Sequence, residues 1–274
     1  MKFLTDMHTH STYSFDGRAA LEKMLAAAQE KGVAFYGVSE HFNYDYILSN
    51  FCAEEAEKIK KENPETYFHG ARHLQEDYVG AMNVLIGAEF GYSDDKSAQA
   101  KYQAVIEKYS PDFIINSVHG EGGKDYIMCE FTGDKATVYR EYLALIRRSL
   151  DAPYPYDIVG HIGYVARYVP FENKEFCLSE FGKEIDDILT TIIQKGKILE
   201  VNSSNKKLPQ RTLPAENILR RYFELGGRMI SFGSDAHDVD RILDKREEVT
   251  AMLKNIGFTY LTVPCRGEYI KVEI

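Results

Sequence analysis

Short apolar runs rich in β-branched residues recur along the chain, and each gives way to a polar turn and then to apolar positions spaced as on one face of a helix. The runs are KFLTDM from residue 2, VAFYGVSE from 33, VLIGAE from 84, DFIINSV from 112, DIVGHI from 157, KILEVN from 197 and RMISFGSD from 228. They predict seven strands alternating with helices. The helical segments fall near 18–31, 95–109, 135–150, 180–195, 214–225 and 240–255, and residues 53–83 have room for more than one. Gly32, Gly196, Gly226 and Gly257 stand where helix C-terminal glycines belong, and Pro214 suits a first helical turn. A last run, FTYLTV from 258, is expected to close or flank the sheet.

Such alternation predicts an α/β protein with a parallel sheet, either open and doubly wound or closed into a barrel. No GxGxxG follows the first strand and no GxxxxGK[ST] occurs, which weakens the open nucleotide-binding sheet. With 274 residues and 44% hydrophobic content the chain can fill one large core, and a single α/β barrel commonly takes about 250 residues. No internal repeat, low-complexity stretch or linker interrupts it, so one domain over 1–274 is expected. Residues 43–80 are longer than a strand-to-strand crossover needs. They predict an excursion over the active-site face, with the charge run EEAEKIKKENPE as a solvated helix surface.

Charge and cysteine content narrow the functional classes. The formal charge of -9, from 42 acidic against 33 basic residues, argues against nucleic acid as the main partner but leaves room for a local basic pocket holding a small anion. Cys52, Cys129, Cys177 and Cys265 are scattered, without CxxC spacing, as expected of reduced thiols in a cytoplasmic protein. The start MKFLTDMHTH lacks a signal-peptide core, and no apolar run approaches the roughly 20 residues of a membrane span. A soluble protein with a small-molecule partner and no membrane or nucleic-acid partner is therefore expected; the oligomeric state is left open.

The candidate chemistry lies at the strand ends. In DMHTHSTYSFDG, His8 and His10 are two residues apart, so on a strand both imidazoles project from one face. A pair of this kind needs partners from elsewhere before it can hold a metal. In parallel α/β barrels the functional groups are contributed by the carboxyl ends of many strands. Here the first strand ends at His8 and His10, with Asp16 beyond, and the second runs into Glu40 and His41. The third reaches Glu89, the fourth His119, the fifth His161, the sixth Asn202, and the seventh Asp235 and His237. Six of the eight histidines thus lie just past strand ends with three carboxylates, while His69 and His73 fall in the excursion. Nitrogen and oxygen donors at that density suit zinc, iron or manganese, and their number suggests two or three ions with a bridging carboxylate.

The segments DMHTHSTYSFDG, GVSEHF, GAEFGY, NSVHG, VGHIGYVARY, EVNSSN and GSDAH resemble the PHP (polymerase and histidinol phosphatase) superfamily, most closely its monofunctional histidinol phosphate phosphatases. The match keeps its order over nearly the whole chain. It implies a distorted (β/α)7 TIM-like barrel around three divalent metal ions. By the resemblance, His8, His10, Glu89 and Asp235 hold one ion, and Glu89 bridges to a second held also by His119 and His161. Asp16, His41 and His237 hold the third; some relatives carry a histidine at the place of Asp16.

The implied reaction is phosphomonoester hydrolysis by direct attack of a metal-bridging hydroxide, converting L-histidinol phosphate to L-histidinol in histidine biosynthesis. Arg167 and Arg211 are candidate substrate ligands, because guanidinium binds phosphate oxygens bidentately. Arg18 reads as a surface residue at a helix start, Glu40 as either a partner orienting an imidazole or an ordinary surface carboxylate, and Tyr44, Tyr46 and Tyr164 as packing residues. Rival readings are a PHP phosphatase for phosphotyrosine protein or a nucleotide, and a noncatalytic metal-stabilised module of the kind that braces polymerases. A barrel amidohydrolase would want a lysine at a strand end, and none stands there.

Overall fold

The computed structural model describes residues 4–205, 208 and 210–274, so the first predicted run begins, at Lys2 and Phe3, outside the described residues. Chain order gives β1 (Leu4–Asp6), β2 (Val33–Phe42), β3 (Asn83–Gly91) and β4 (Ile114–Ser117). A short ribbon of β5 (Gly120–Glu121) and β6 (Lys124–Asp125) follows, then β7 (Ile158–Val159), β8 (Ile198–Asn202) and β9 (Ile230–Gly233). The strands β1, β2, β3, β4, β7, β8 and β9 lie side by side in that order, all parallel. Three backbone bonds draw the last strand to the first: Met7 N–H to Phe232 O at 2.9 Å, Asp235 N–H to His8 O at 2.9 Å and His10 N–H to Ala236 O at 2.8 Å. The sheet is thereby a nearly closed seven-strand barrel with helices between its strands.

Among the described residues eight helices fill the outside: α1 (Leu21–Glu30), α2 (Ala53–Lys61), α3 (Pro64–Glu76), α4 (Lys96–Tyr109), α5 (Lys135–Ser149), α6 (Leu178–Gln194) and α7 (Glu216–Glu224) between barrel strands, and α8 (Arg246–Ile256) after the last. Side-chain caps set several starts: Asn63 accepts from the amides of Glu65 and Thr66, Asp95 from Ser97 and Asp134 from Thr137. Three predicted helices begin late, α1 at Leu21 rather than near residue 18. Pro214 lies before the N-cap Ala215 of α7 rather than in its first turn, and α8 starts only at Arg246, after a short 3-10 turn at Val239–Arg241 and a left-handed Lys245.

The expected excursion divides into two parts. Helix α3 is an ordinary wall helix, since buried Tyr67 donates from its hydroxyl to Val38 O at 3.2 Å and to Gly87 O at 2.7 Å, across β2 and β3. Residues 43–62 instead reach the rim, where Glu62 accepts from the Phe15 amide at 3.1 Å and Ile47 N–H bonds to Gly123 O at 3.0 Å.

The final predicted strand does not close the barrel sheet but flanks it, beside β9. It is β10 (Tyr260–Cys265), which pairs antiparallel with β11 (Glu268–Glu273). This hairpin contributes Val263 and Val272 to an apolar cluster with Met7, Leu85, Phe113, Ile115, Ile158 and Ile198. The reason lies in the amino-terminal end of the barrel, whose inward residues are apolar and need a cover. Along the same inward face polarity rises toward the carboxyl end, as in Leu85, Gly87, Glu89 on β3 and Ile198, Glu200, Asn202 on β8. An apolar floor thus lies under a polar rim. No helix among the described residues is long and apolar enough to cross a membrane, and the four cysteines are free.

The barrel seam depends on Asp6, a fully buried carboxylate that accepts from the amides of Ser234 and Leu243, both at 2.9 Å. Asp6→Ala leaves two buried donors without partners and is expected to lower unfolding stability by about 2 to 4 kcal/mol. Asp6→Asn keeps one acceptor oxygen and should recover part of that loss. Urea denaturation of the three proteins measures both effects.

Candidate metal centre

All nine candidate metal donors converge inside the carboxyl rim. Glu89, fully buried on β3, is the hub. Its Oε2 lies 3.2 Å from His8 Nε2, 3.6 Å from His10 Nε2 and 2.8 Å from His41 Nδ1, while Oε1 lies 3.0 Å from His119 Nε2 and 2.9 Å from His161 Nε2. Asp235 Oδ1 stands 3.5 Å from His10 Nε2 and 3.8 Å from His8 Nε2. Asp16, the most exposed member, reaches His237 Nε2 at 3.0 Å and His41 Nε2 at 3.6 Å.

Among the described residues four triads bring one donor atom from each residue within 4.8 Å: His8, His10 and Asp235; His8, Glu89 and His161; His41, Glu89 and His119; and His10, His41 and His237. The first matches the grouping the resemblance implied. Each of the others mixes residues of two implied groups, because Glu89 sits against five imidazoles at once and His10 packs on His41 and His237.

The donors fit divalent metal. His8 Nε2, His10 Nε2, His41 Nδ1, Glu89 Oε2 and His237 Nε2 are buried and without hydrogen bonds, although they face one another across the cluster. Polar atoms left so in a protein interior are costly, and a shared cation satisfies all of them. Room is kept by glycine: a Cβ at Gly233 would collide with Glu200 and His8, and one at Gly91 with Asn43.

Charge follows the same arrangement. Burial alone would raise the Glu89 carboxyl, yet His8, His119 and His41 outweigh it and hold it well below the usual carboxylate range. Burial opposes the charge on Asp235 too, and His8, His10, His237 and Arg167 keep it ionised. His8 is pushed up, against its burial, by Glu200 and Glu89. His10, buried among other imidazoles, is pushed well down and is a neutral donor.

The outer partners were mostly missed by sequence reasoning. His8 Nδ1 bonds to Glu200 Oε1 at 2.6 Å, and Glu200 Oε2 accepts from the His161 amide at 2.6 Å. The available signal was an acidic residue inside the apolar run KILEVN; Asn202, singled out instead, donates to Glu200 at 3.2 Å. His119 Nδ1 is held by Asn43 Oδ1 at 3.0 Å, and Ser117 donates to Glu89 at 2.5 Å. Glu40 does not orient an imidazole directly. It accepts from the Ser11 and Ser14 hydroxyls, at 2.6 and 2.5 Å, and so shapes the loop carrying His10 and Asp16.

A cavity of about 340 Å³ opens over the cluster. Arg167 lines it, buried, with Nη2 donating to Ser204 O and lying 3.4 Å from Asp235 Oδ2, and its guanidinium 4.8 Å from the Tyr164 ring centre. Arg211 is on an exposed turn and is absent from the lining, whereas Arg18, exposed as expected of a surface residue, also lines the cavity together with Arg241. The chain bends back at Asp16, and the Arg18 amide bonds to His237 O at 2.9 Å, which brings its side chain to the mouth. Tyr46 and Tyr164 also line the cavity, while Tyr44 packs against Tyr102 with ring centres 5.2 Å apart.

Comparison with known proteins agrees with this geometry. The PHP domain profile matches residues 6–204. A histidinol-phosphatase of Lactococcus lactis is 27% identical over 256 residues, covering 92% of this chain and 91% of its own length. A protein of Clostridium acetobutylicum named "Probable histidinol-phosphatase" is 26% identical over 242 residues, covering 86% and 88%. The crystal structure of histidinol phosphate phosphatase from Lactococcus lactis, complexed with zinc, L-histidinol and phosphate, superposes with a TM-score of 0.83 at 25% identity, over 98% of this chain and 99% of that one.

The His8–Glu200 bond yields a direct test. Glu200→Gln keeps the size and an acceptor oxygen but removes the charge that makes His8 a stronger donor. Metal affinity, read by competition with a chromophoric chelator, is expected to fall about 10- to 100-fold. The circular dichroism spectrum should be retained.

Proposed function

The chain belongs to the PHP domain family, and from that premise we propose that it hydrolyses L-histidinol phosphate to L-histidinol and phosphate. Three divalent ions are proposed, held by His8, His10, Asp16, His41, Glu89, His119, His161, Asp235 and His237. The single observation that carries this reading is the convergence of five of these histidines on Glu89, with Asp16, Asp235 and His237 beside them, beneath a cavity lined by Arg167. Zinc is the metal of the related Lactococcus lactis structure, and iron and manganese suit the same donors. Four unpaired cysteines suit a reducing compartment, and the proposed location is the cytoplasm.

Divalent cations bound to such a cluster supply a water acidified toward neutral pH and neutralise phosphoryl oxygens as charge moves to the leaving group. The chain's own residues do the rest. Glu200 fixes the His8 ring, and Asn43 fixes that of His119, so both donors face the cavity in one orientation. Arg167 is already committed through Nη2 to Ser204 and Asp235, and its Nε is buried without a hydrogen bond. That pre-placed guanidinium is the proposed phosphate clamp on the side away from the metals. The apolar floor beneath the rim keeps bulk water from reaching the cluster from below.

Elemental analysis of protein purified without chelator is expected to find more than two transition-metal equivalents per chain, and removal of metal should abolish turnover. One equivalent or fewer at full activity would sink the three-ion arrangement. Glu89→Gln should cost more activity than replacement of Asp16, because Glu89 touches five of the histidines and Asp16 two. Arg167→Ala is expected to lower kcat/KM for L-histidinol phosphate by about 2 to 5 kcal/mol of transition-state stabilisation, with Arg167→Lys recovering only part. Metal content measured alongside separates loss of the clamp from disturbance of Asp235.

A further inference from the structure

One carboxylate in the cavity belongs to no part of the metal cluster. Asp125, at the end of the β5–β6 ribbon, is 7% exposed and lines the cavity. Its Oδ2 accepts from the Tyr46 hydroxyl at 2.7 Å, and its Oδ1 from the Ile127 amide at 2.9 Å and the Tyr164 hydroxyl at 3.3 Å. These donors take three of the roughly four acceptor directions a carboxylate offers. Among the described residues no lysine, arginine or histidine forms an ion pair with it. All three partners are neutral, so the buried carboxylate has no positive charge of the protein paired with it and keeps one acceptor direction open toward the cavity.

Position says what charge suits it. The Tyr164 ring, whose hydroxyl reaches Asp125, stands 5.3 Å from the His119 ring and 5.0 Å from the His161 ring, centre to centre. Asp125 therefore lies one phenol ring away from the metal donors, within reach of the part of a substrate just beyond its phosphate. Arg167, Arg18 and Arg241 also line the mouth, and its Asp16 and Asp235 face the cluster histidines, where they would be committed to the proposed divalent ions. A positively charged leaving group would be repelled there unless one wall carried a negative group. The other free carboxylate of the lining, Asp238, caps the Val239 amide at 2.8 Å on the side of Arg241.

We infer that Asp125, positioned by Tyr46 and Tyr164, selects the leaving group by pairing with its ammonium. The inference rests on the histidinol phosphate reading: L-histidinol bears an amine on the carbon next to the one carrying the ester oxygen, so phosphate on the metals brings that amine toward the Asp125 wall. Phosphomonoesters with neutral or anionic leaving groups leave the carboxylate unpaired and are disfavoured for the same reason.

The test compares kcat/KM for L-histidinol phosphate and for its des-amino analogue, which keeps the imidazole and the phosphate, using metal-loaded enzyme. Wild type should prefer the amine-bearing ester by about 10- to 100-fold, the range of one charge-assisted hydrogen bond. Asp125→Asn should reduce that preference at least tenfold, with rates normalised to bound metal and folded fraction. A wild type that treats both esters alike overturns the inference without any variant. So does an Asp125→Asn enzyme that keeps the full preference, and in both cases hydrolysis of histidinol phosphate stands. A wild type that cleaves p-nitrophenyl phosphate but neither imidazole ester overturns the histidinol phosphate reading, and the Asp125 assignment falls with it.

Discussion

Glu89 is a carboxylate with no exposed surface in the middle of a protein, and the site is built around making that position tolerable. Taking one such charge out of water costs several kcal/mol, and the cost is offset only by close opposite charge and saturated hydrogen bonding. Five imidazoles and the Ser117 hydroxyl surround it, drawn from β2, β4 and the segments after β1, β4 and β7. Those histidines in turn crowd one another, which is why His10 is driven toward its neutral form. Unshared donor atoms facing inward are the residue of this arrangement, and metal cations are what it is arranged to receive.

Such a concentration of polarity can exist only over a firm apolar base. The alternation of inward residues supplies it, because each strand that ends in a histidine or carboxylate begins with a residue such as Leu85, Ile115 or Ile198. Cover for the open lower end comes from β10 and β11, which form their own two-stranded sheet. At the seam, Asp6 ties the first strand to the loop after the last. That tie fixes His8 and His10 relative to Asp235 and His237, and so links closure of the barrel to assembly of the cluster.

The cavity above divides its labour by charge. Metal donors and guanidiniums occupy one side, suited to a phosphate dianion, while Asp125 with its two tyrosines occupies another. Rim loops supply that second side: Tyr46 belongs to the segment after β2, Asp125 to the ribbon after β4 and Tyr164 to the turn after β7. Loops can vary without disturbing the barrel, which is where selection among leaving groups can change while the chemistry stays.

The strand and helix alternation, the parallel sheet and the candidate metal donors were legible in the sequence because each depends on short-range order. A strand's period of two fixes which face a residue takes, and barrel geometry puts strand ends together, so His8, Glu89, His119 and Asp235 could be grouped before any coordinates. What tertiary structure alone decided are contacts between side chains far apart in the chain. Glu200 meets His8 across 192 positions and Arg167 meets Asp235 across 68, and no local pattern encodes such pairs. The same holds for turns: whether an arginine reaches the cavity depends on how the backbone bends after it, so Arg18 entered the mouth and Arg211 did not. Periodicity carries the direction of a side chain within an element, but the path of a loop is set by what the completed barrel leaves for it to pack against.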